Sequence, residues 1–111
     1  MSKTEGEGAA LAGVRVLECG GGVAGAYCAK LFADMGATVS RLEPSGGDAL
    51  AEILLDPDEP ATRGLYLAYL SAGKIPLHQA AEAGGCDILI LGEAADRPAG
   101  LPTASTAVLD I

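Results

Sequence analysis

The segment Leu11–Asp48 has the pattern of one strand–helix–strand unit, and this pattern constrains the fold more than any other part of the chain. It predicts a strand over Gly13–Glu18, a tight glycine turn over Gly20–Gly25, a helix over Ala24–Met35 and a strand over Ala37–Glu43. In open α/β sheets, ligands bind where strands end and helices begin. The amides of the first helical turn there lack intrahelical partners and carry the positive end of the helix dipole. A nucleotide phosphate is therefore the predicted ligand.

The rest of the chain predicts further elements of the same sheet. We expect a helix over Gly64–Ala72, a short strand over Lys74–Leu77 and the stub of a helix over Gln79–Ala83. Strands are predicted over Asp87–Leu91, an unbroken apolar run of sheet-core type, and over Thr106–Ile111. The predicted fold class is α/β, a Rossmann-like open parallel sheet with flanking helices.

The core has to be built from small and medium apolar residues. Half of the 111 residues are apolar, but only three tyrosines and one phenylalanine are aromatic and tryptophan is absent. This composition suits a parallel sheet covered on both faces by helices. Within the first helix, apolar spacing places five residues on one stripe: Ala24, Tyr27, Cys28, Leu31 and Met35.

The length allows one small domain, and we expect residues 1–10 to be a flexible tail and residues 11–111 to form the domain. The sheet of a doubly wound fold takes its site from loops that follow several strands. No loop, helix or strand follows the strand predicted at Thr106–Ile111. We therefore expect the sheet to be incomplete and the chain to be an amino-terminal piece of a longer protein.

Charge and cysteine usage exclude several classes of function. A formal net charge of −8 disfavours binding to nucleic acid or to anionic membranes, and no apolar run approaches the ~20 residues of a membrane span. Three cysteines without CxxC spacing or a signal peptide indicate a reduced, cytoplasmic protein. Of these, Cys19 lies at a strand end beside a helix N-terminus. It is either a thiol of lowered pKa or, the interpretation we favour, a small packed residue. No metal site is predicted, because no ligand cluster has the required spacing.

The glycines of the turn allow a dinucleotide-binding interpretation. Gly20, Gly22 and Gly25 satisfy G-x-G-x-x-G, and Glu43 follows at about the distance of a ribose-binding acid. An FAD- or NAD-binding domain of an oxidoreductase is therefore one interpretation. A tight turn without any ligand is another, since glycines also serve backbone geometry alone.

The longer sequence around this turn is more specific than the three glycines alone. Leu-Ala-Gly-Val-Arg-Val-Leu-Glu at Leu11–Glu18 is followed by Val-Ala-Gly-Ala-Tyr-Cys-Ala-Lys-Leu-Phe-Ala-Asp-Met-Gly-Ala at Val23–Ala37 and Leu-Glu-Pro-Ser-Gly-Gly-Asp at Leu42–Asp48. Together these resemble the opening of a family III CoA-transferase, the group that contains formyl-CoA and carnitine CoA-transferases. The resemblance covers roughly the first half of the chain and loosens after Lys74.

The resemblance implies that this chain binds coenzyme A (CoA). The main chain of the turn residues would contact the bound CoA. The end of the second strand would lie beside the adenosine part of CoA. Lys74 matches a family lysine and is either a phosphate partner or a solvated surface residue. The implied cofactor-binding residues are Gly22, Val23, Ala24, Glu43, Pro44 and Lys74.

The implied reaction is transfer of CoA from an acyl-CoA to a small carboxylate, through an aspartate nucleophile of the family. No aspartate here lies in a matching context, so we assign no catalytic residue and expect the 111-residue chain alone to be inactive. The family also implies a homo-oligomer. Besides the oxidoreductase interpretation, two alternatives stay open: a degenerate half with a structural or dimerisation role, and a free-standing small protein without a ligand.

Overall fold

The computed structural model describes residues 9–20, 22–43, 60–92 and 106–111. Within these ranges, five strands form one parallel sheet in the order β3-β2-β1-β4-β5. The strands are β1 (Arg15–Cys19), β2 (Thr38–Leu42), β3 (Lys74–Leu77), β4 (Ile88–Leu91) and β5 (Ala107–Asp110). The helices are α1 (Val23–Asp34), α2 (Pro60–Ser71) and a 3₁₀ helix at Ala80–Ala83. The predicted α/β class with an open parallel sheet is confirmed.

The predicted elements are present, with boundaries that differ mostly by one or two residues. The larger difference is α2, which begins at Pro60, four positions before the predicted Gly64. Proline suits the first helical position, because its φ is preset and the amide it lacks has no intrahelical partner there. The predicted helix stub is the 3₁₀ helix, and the Glu82 carboxylate accepts hydrogen bonds from the backbone amides just before it. No helix in the described ranges is long and apolar enough to cross a membrane.

The central strands β1 and β4 contribute six of the thirteen buried apolar residues of the described ranges. Side chains alternate between the two faces of the sheet, as strand geometry requires. One face buries Leu17 and Leu89, and the opposite face buries Val16, Val39 and Ile90 beneath α1. Both faces of the central strands are therefore mainly apolar, as expected for a parallel sheet, and Glu18 of β1 is a buried charge among them.

Helix α1 buries a different face from its apolar stripe, and this corrects the interpretation from sequence. Its buried residues include Gly25, Ala26 and Ala29. By contrast Tyr27, Leu31 and Met35 of the predicted stripe are 44–47% exposed. Small side chains let the first turns of the helix approach the sheet closely, and the partly buried Cys28 and Phe32 also pack against the core.

Candidate functional site

The turn between β1 and α1 is built from glycines in conformations that other residues rarely adopt. Gly20 has φ of 97° and Gly22, the N-terminal cap of α1, has φ of 114° and ψ of 144°. No side chain caps this end of the helix, and its first turn contains no acidic residue. The first-turn amides therefore lie at the positive end of the helix dipole without a nearby carboxylate of their own turn.

A small cavity opens at this turn. It has a volume of about 180 Å³ and is lined by Gly22, Ala24, Gly25 and Ile111. Two of the predicted main-chain contacts, Gly22 and Ala24, thus lie at the cavity, and Val23 between them is 43% exposed. An anionic group placed here would meet backbone amides of a helix N-terminus.

The third glycine of the motif has a packing role. A Cβ atom at Gly25 would lie 3.2 Å from Cα of Gly92, which follows β4. The Gly92 amide in turn donates a 2.7 Å hydrogen bond to the carbonyl of Cys19. The ends of β1 and β4 and the start of α1 are therefore in close contact, and this contact sets the position of the turn.

A second, larger cavity lies beside β2, β3 and α2. Its volume is about 350 Å³, and its lining comprises Arg41, Glu43, Leu67, Ser71, Lys74 and Pro76. Two of the predicted site residues, Glu43 and Lys74, are among them. The structure therefore divides the predicted residues between two cavities, and Pro44 lies outside the described residues.

Beside this cavity lies a buried charge cluster formed by Glu18, Arg41 and Lys74. Glu18 Oε1 accepts a 2.7 Å hydrogen bond from Lys74 Nζ, and Glu18 Oε2 accepts a 3.2 Å hydrogen bond from Arg41 Nε. The three side chains are 1%, 7% and 2% exposed, in the order Glu18, Arg41, Lys74. Lys74 is therefore not a solvated surface residue.

Sequence reasoning missed Glu18 and Arg41, although a signal was present. The two residues lie directly opposite each other on the adjacent parallel strands β1 and β2. An acid and a base at equivalent positions of two largely buried strands indicate a buried ion pair. Lys74 joins them from β3, a strand that the sequence predicts without indicating that it pairs with β2.

Burial opposes ionisation of the thiols in this region. Burial, with the nearby Cys86 and Glu18, raises the pKa of Cys19 to about 12. Burial likewise raises the pKa of Cys28. The interpretation of Cys19 as a small packed residue is confirmed, since it is 3% exposed in the core. Within the described ranges, no three histidine, cysteine or acidic side chains come together in a form that could hold a metal ion.

One comparison with known proteins gives a match. A family model described as CoA-transferase family III matches residues 11–77, more than half of the chain. The matched span contains β1, α1, β2, α2 and β3, and with them the glycine turn and the buried charge cluster. No curated protein matches the chain.

Proposed function

Because the chain belongs to CoA-transferase family III, we propose that it binds coenzyme A between the glycine turn and the cavity beside β2 and β3. The observation that carries the proposal is the uncapped N-terminus of α1, which opens on a cavity at Gly22. A phosphate group fits such a terminus because backbone amides and the helix dipole both favour negative charge.

The proposed site uses the family's residues in two groups. Gly22, Val23 and Ala24 contact CoA through their main chain at the turn. Glu43 and Pro44 border the adenosine part at the end of β2, where the cavity of about 350 Å³ gives room for an aromatic base and its ribose. Lys74 contributes to the wall of that cavity.

Local charges have to hold a polyanion on an acidic protein. The chain carries a net charge of −8, so the long-range field opposes CoA. The cavity wall contains the cations of Arg41 and Lys74 together with the acid Glu43. Binding therefore depends on short-range contacts, above all with the amides of the helix terminus.

The proposed overall reaction is transfer of CoA from an acyl-CoA to a small carboxylate, as in the formyl-CoA and carnitine CoA-transferases that the chain resembles. No residue of the described ranges is assigned the nucleophilic role. Asp34 is paired with Lys30 and Asp87 with Arg15, so these two carboxylates have structural partners. The proposed contribution of the chain is binding.

Calorimetric titration with CoA, NAD and FAD tests the proposal. We expect CoA to bind and NAD and FAD to bind no better. Gly22→Val should abolish CoA binding, because its φ of 114° is strained for a side chain and a side chain would enter the turn. Gly64→Val is the matched control, since Gly64 lies in α2 and no atom lies within 4 Å of the position that its Cβ would take.

Failure of the wild-type chain to bind CoA would contradict the proposal. Tighter binding of NAD than of CoA, or co-purification of a yellow flavin, would favour the oxidoreductase alternative instead.

A further inference from the structure

The first turns of α1 are buried through small residues. Gly25, Ala26 and Ala29 carry no side chain longer than a methyl group. Ala26 packs with Leu70 of α2, and Phe32, further along α1, packs with Ala29 against the sheet. Interlocking of large side chains is what normally specifies how a helix packs. The small residues of the first turns allow close approach, but they interlock little with their neighbours.

A polar contact adds to the packing of these first turns. Lys74 Nζ, which extends from β3, donates a 2.9 Å hydrogen bond to the carbonyl of Ala26 in α1. The same ammonium donates a 2.7 Å hydrogen bond to Oε1 of Glu18 in β1, which also accepts a hydrogen bond from Arg41 of β2. Side chains from three neighbouring strands are thus linked by hydrogen bonds to one carbonyl of the helix.

The carbonyl of Ala26 belongs to the turn that faces the proposed ligand. The amide of Ala26 donates a 3.3 Å hydrogen bond to the carbonyl of Gly22, the cap of α1. A displacement of Ala26 along the helix axis would therefore displace Gly22 and the two amides that follow it.

We propose that Lys74, held by Glu18, is a positioning residue that helps to set the location of the first turn of α1, and that it is not a direct contact of the ligand. The inference rests on the proposed function in that the positioned turn is the CoA site. Lys74 acts through Ala26, because its ammonium is directed into the helix and the buried carboxylate.

The test compares Lys74→Met with Lys30→Met. Lys74→Met keeps a similar stem, and Glu18 keeps Arg41 as its partner. Lys30→Met is the matched control, because the Lys30 side chain is also buried, at 9% exposure, but its partners lie in the helices. Its ammonium bonds Asp34 of α1 at 2.6 Å and lies 4.5 Å from the centre of the Tyr69 ring of α2. Nuclear magnetic resonance of each ligand-free protein reports the amide positions at the turn, and calorimetry reports the CoA affinity at several salt concentrations.

In Lys74→Met we expect the amide resonances of Gly22, Val23 and Ala24 to be displaced in the ligand-free protein. CoA affinity should fall about fivefold, the factor that one intramolecular hydrogen bond gives, with an unchanged dependence on salt. Lys30→Met should leave the turn resonances and the CoA affinity at their wild-type values. Wild-type turn resonances in Lys74→Met would overturn the inference, and so would a weaker salt dependence, which marks loss of a direct phosphate contact.

A measurement on the wild-type protein serves if Lys74→Met does not fold. The Nζ resonance of Lys74 should keep its position when CoA saturates the protein, because a positioning residue keeps its partners. A displaced Nζ resonance would overturn the inference. If the wild-type chain binds no CoA, the proposed function fails, and the turn resonances of the ligand-free variants still decide whether Lys74 positions α1.

Discussion

At the scale of single residues, Glu18 is a carboxylate with almost no access to water. It is 1% exposed and has two cations within hydrogen-bond distance. A buried ion pair is weak evidence of net stabilisation, because the loss of hydration offsets the attraction. Removal of one partner is nevertheless costly, because the opposite charge then stays buried without its compensation.

Glu18→Gln should therefore strongly destabilise the protein. It removes the anion that Arg41 and Lys74 share, and the expected loss is ~3–5 kcal/mol in the free energy of unfolding, measured by urea denaturation. Asp34→Asn is the control, since its side chain is 51% exposed and its pair with Lys30 should contribute only ~0.2–1 kcal/mol. A loss of less than ~1 kcal/mol in Glu18→Gln would contradict the buried cluster.

Cys19 should be the least reactive thiol of those in the described ranges. Its ionisation should also lower the stability of the protein at alkaline pH. Its pKa is raised from 9.0 to about 12, so its thiolate is scarce at pH 8, where alkylation with iodoacetamide is followed by mass spectrometry. A raised pKa favours the neutral thiol in the folded state. The corresponding stabilisation is complete below pH 9.0 and is lost as the pH rises towards about 12.

The matched comparison is Cys28, whose pKa is also raised but which is only partly buried. Alkylation of Cys19 faster than of Cys28 would contradict the packed environment. Melting temperatures of wild type and Cys19→Ala, compared at about pH 8 and about pH 10.5, should converge at the higher pH.

At the scale of elements, the two helices use their glycines in opposite ways. Gly25 in α1 lies against backbone, and a Cβ there would be 3.2 Å from Cα of Gly92. Gly64 in α2 is exposed and has no atom within 4 Å of the same position. Packing therefore requires glycine at position 25. At position 64 glycine costs conformational entropy, and no close contact requires it.

Alanine at the two positions should therefore change stability in opposite directions. Gly64→Ala should raise the free energy of unfolding by about 0.5–1 kcal/mol, because alanine is the better helix former. Gly25→Ala should lower it, because α1 or the backbone at Gly92 has to shift to admit the methyl group. Thermal denaturation of the two variants checks both signs, and stabilisation by Gly25→Ala would show that α1 is not held against β4.

At the scale of the whole molecule, the described sheet has two unlike edges. The β3 edge contains Pro76, which has no amide to offer to another strand. The β5 edge has no proline, and its neighbouring residues Val108 and Leu109, on opposite faces of the sheet, are 36% and 38% exposed. Helix α1 adds an exposed apolar stripe that includes Tyr27.

These surfaces lead us to expect self-association of the chain through the β5 edge or an uncovered apolar face, observed by light scattering at several concentrations. Leu109→Lys should weaken association through the edge, because a charge on an edge strand opposes pairing. Ile75→Lys is the control. Ile75 is 48% exposed at the other edge of the sheet, and its replacement should not weaken the association. A strictly monomeric chain that melts cooperatively above ~65 °C would contradict the expectation.

Much of the architecture could be predicted because it depends on neighbours in the sequence. Glycines with positive φ end the elements, and apolar runs such as Ile88–Leu91 form the strands. The error on α1 has a physical cause. Apolar spacing marks a face that can be buried, but the small residues of the opposite face allowed closer packing on the sheet.

The sequence by itself determined the α/β class, the order of the elements, the glycine turn and the resemblance to the family, because each depends on local patterns. Only the tertiary structure decided which face of α1 is buried and which charges meet. Glu18 and Lys74 are 56 residues apart in the chain and touch because β1, β2 and β3 are neighbours in one sheet. Contacts of that kind follow from strand order and register, which no short stretch of sequence encodes.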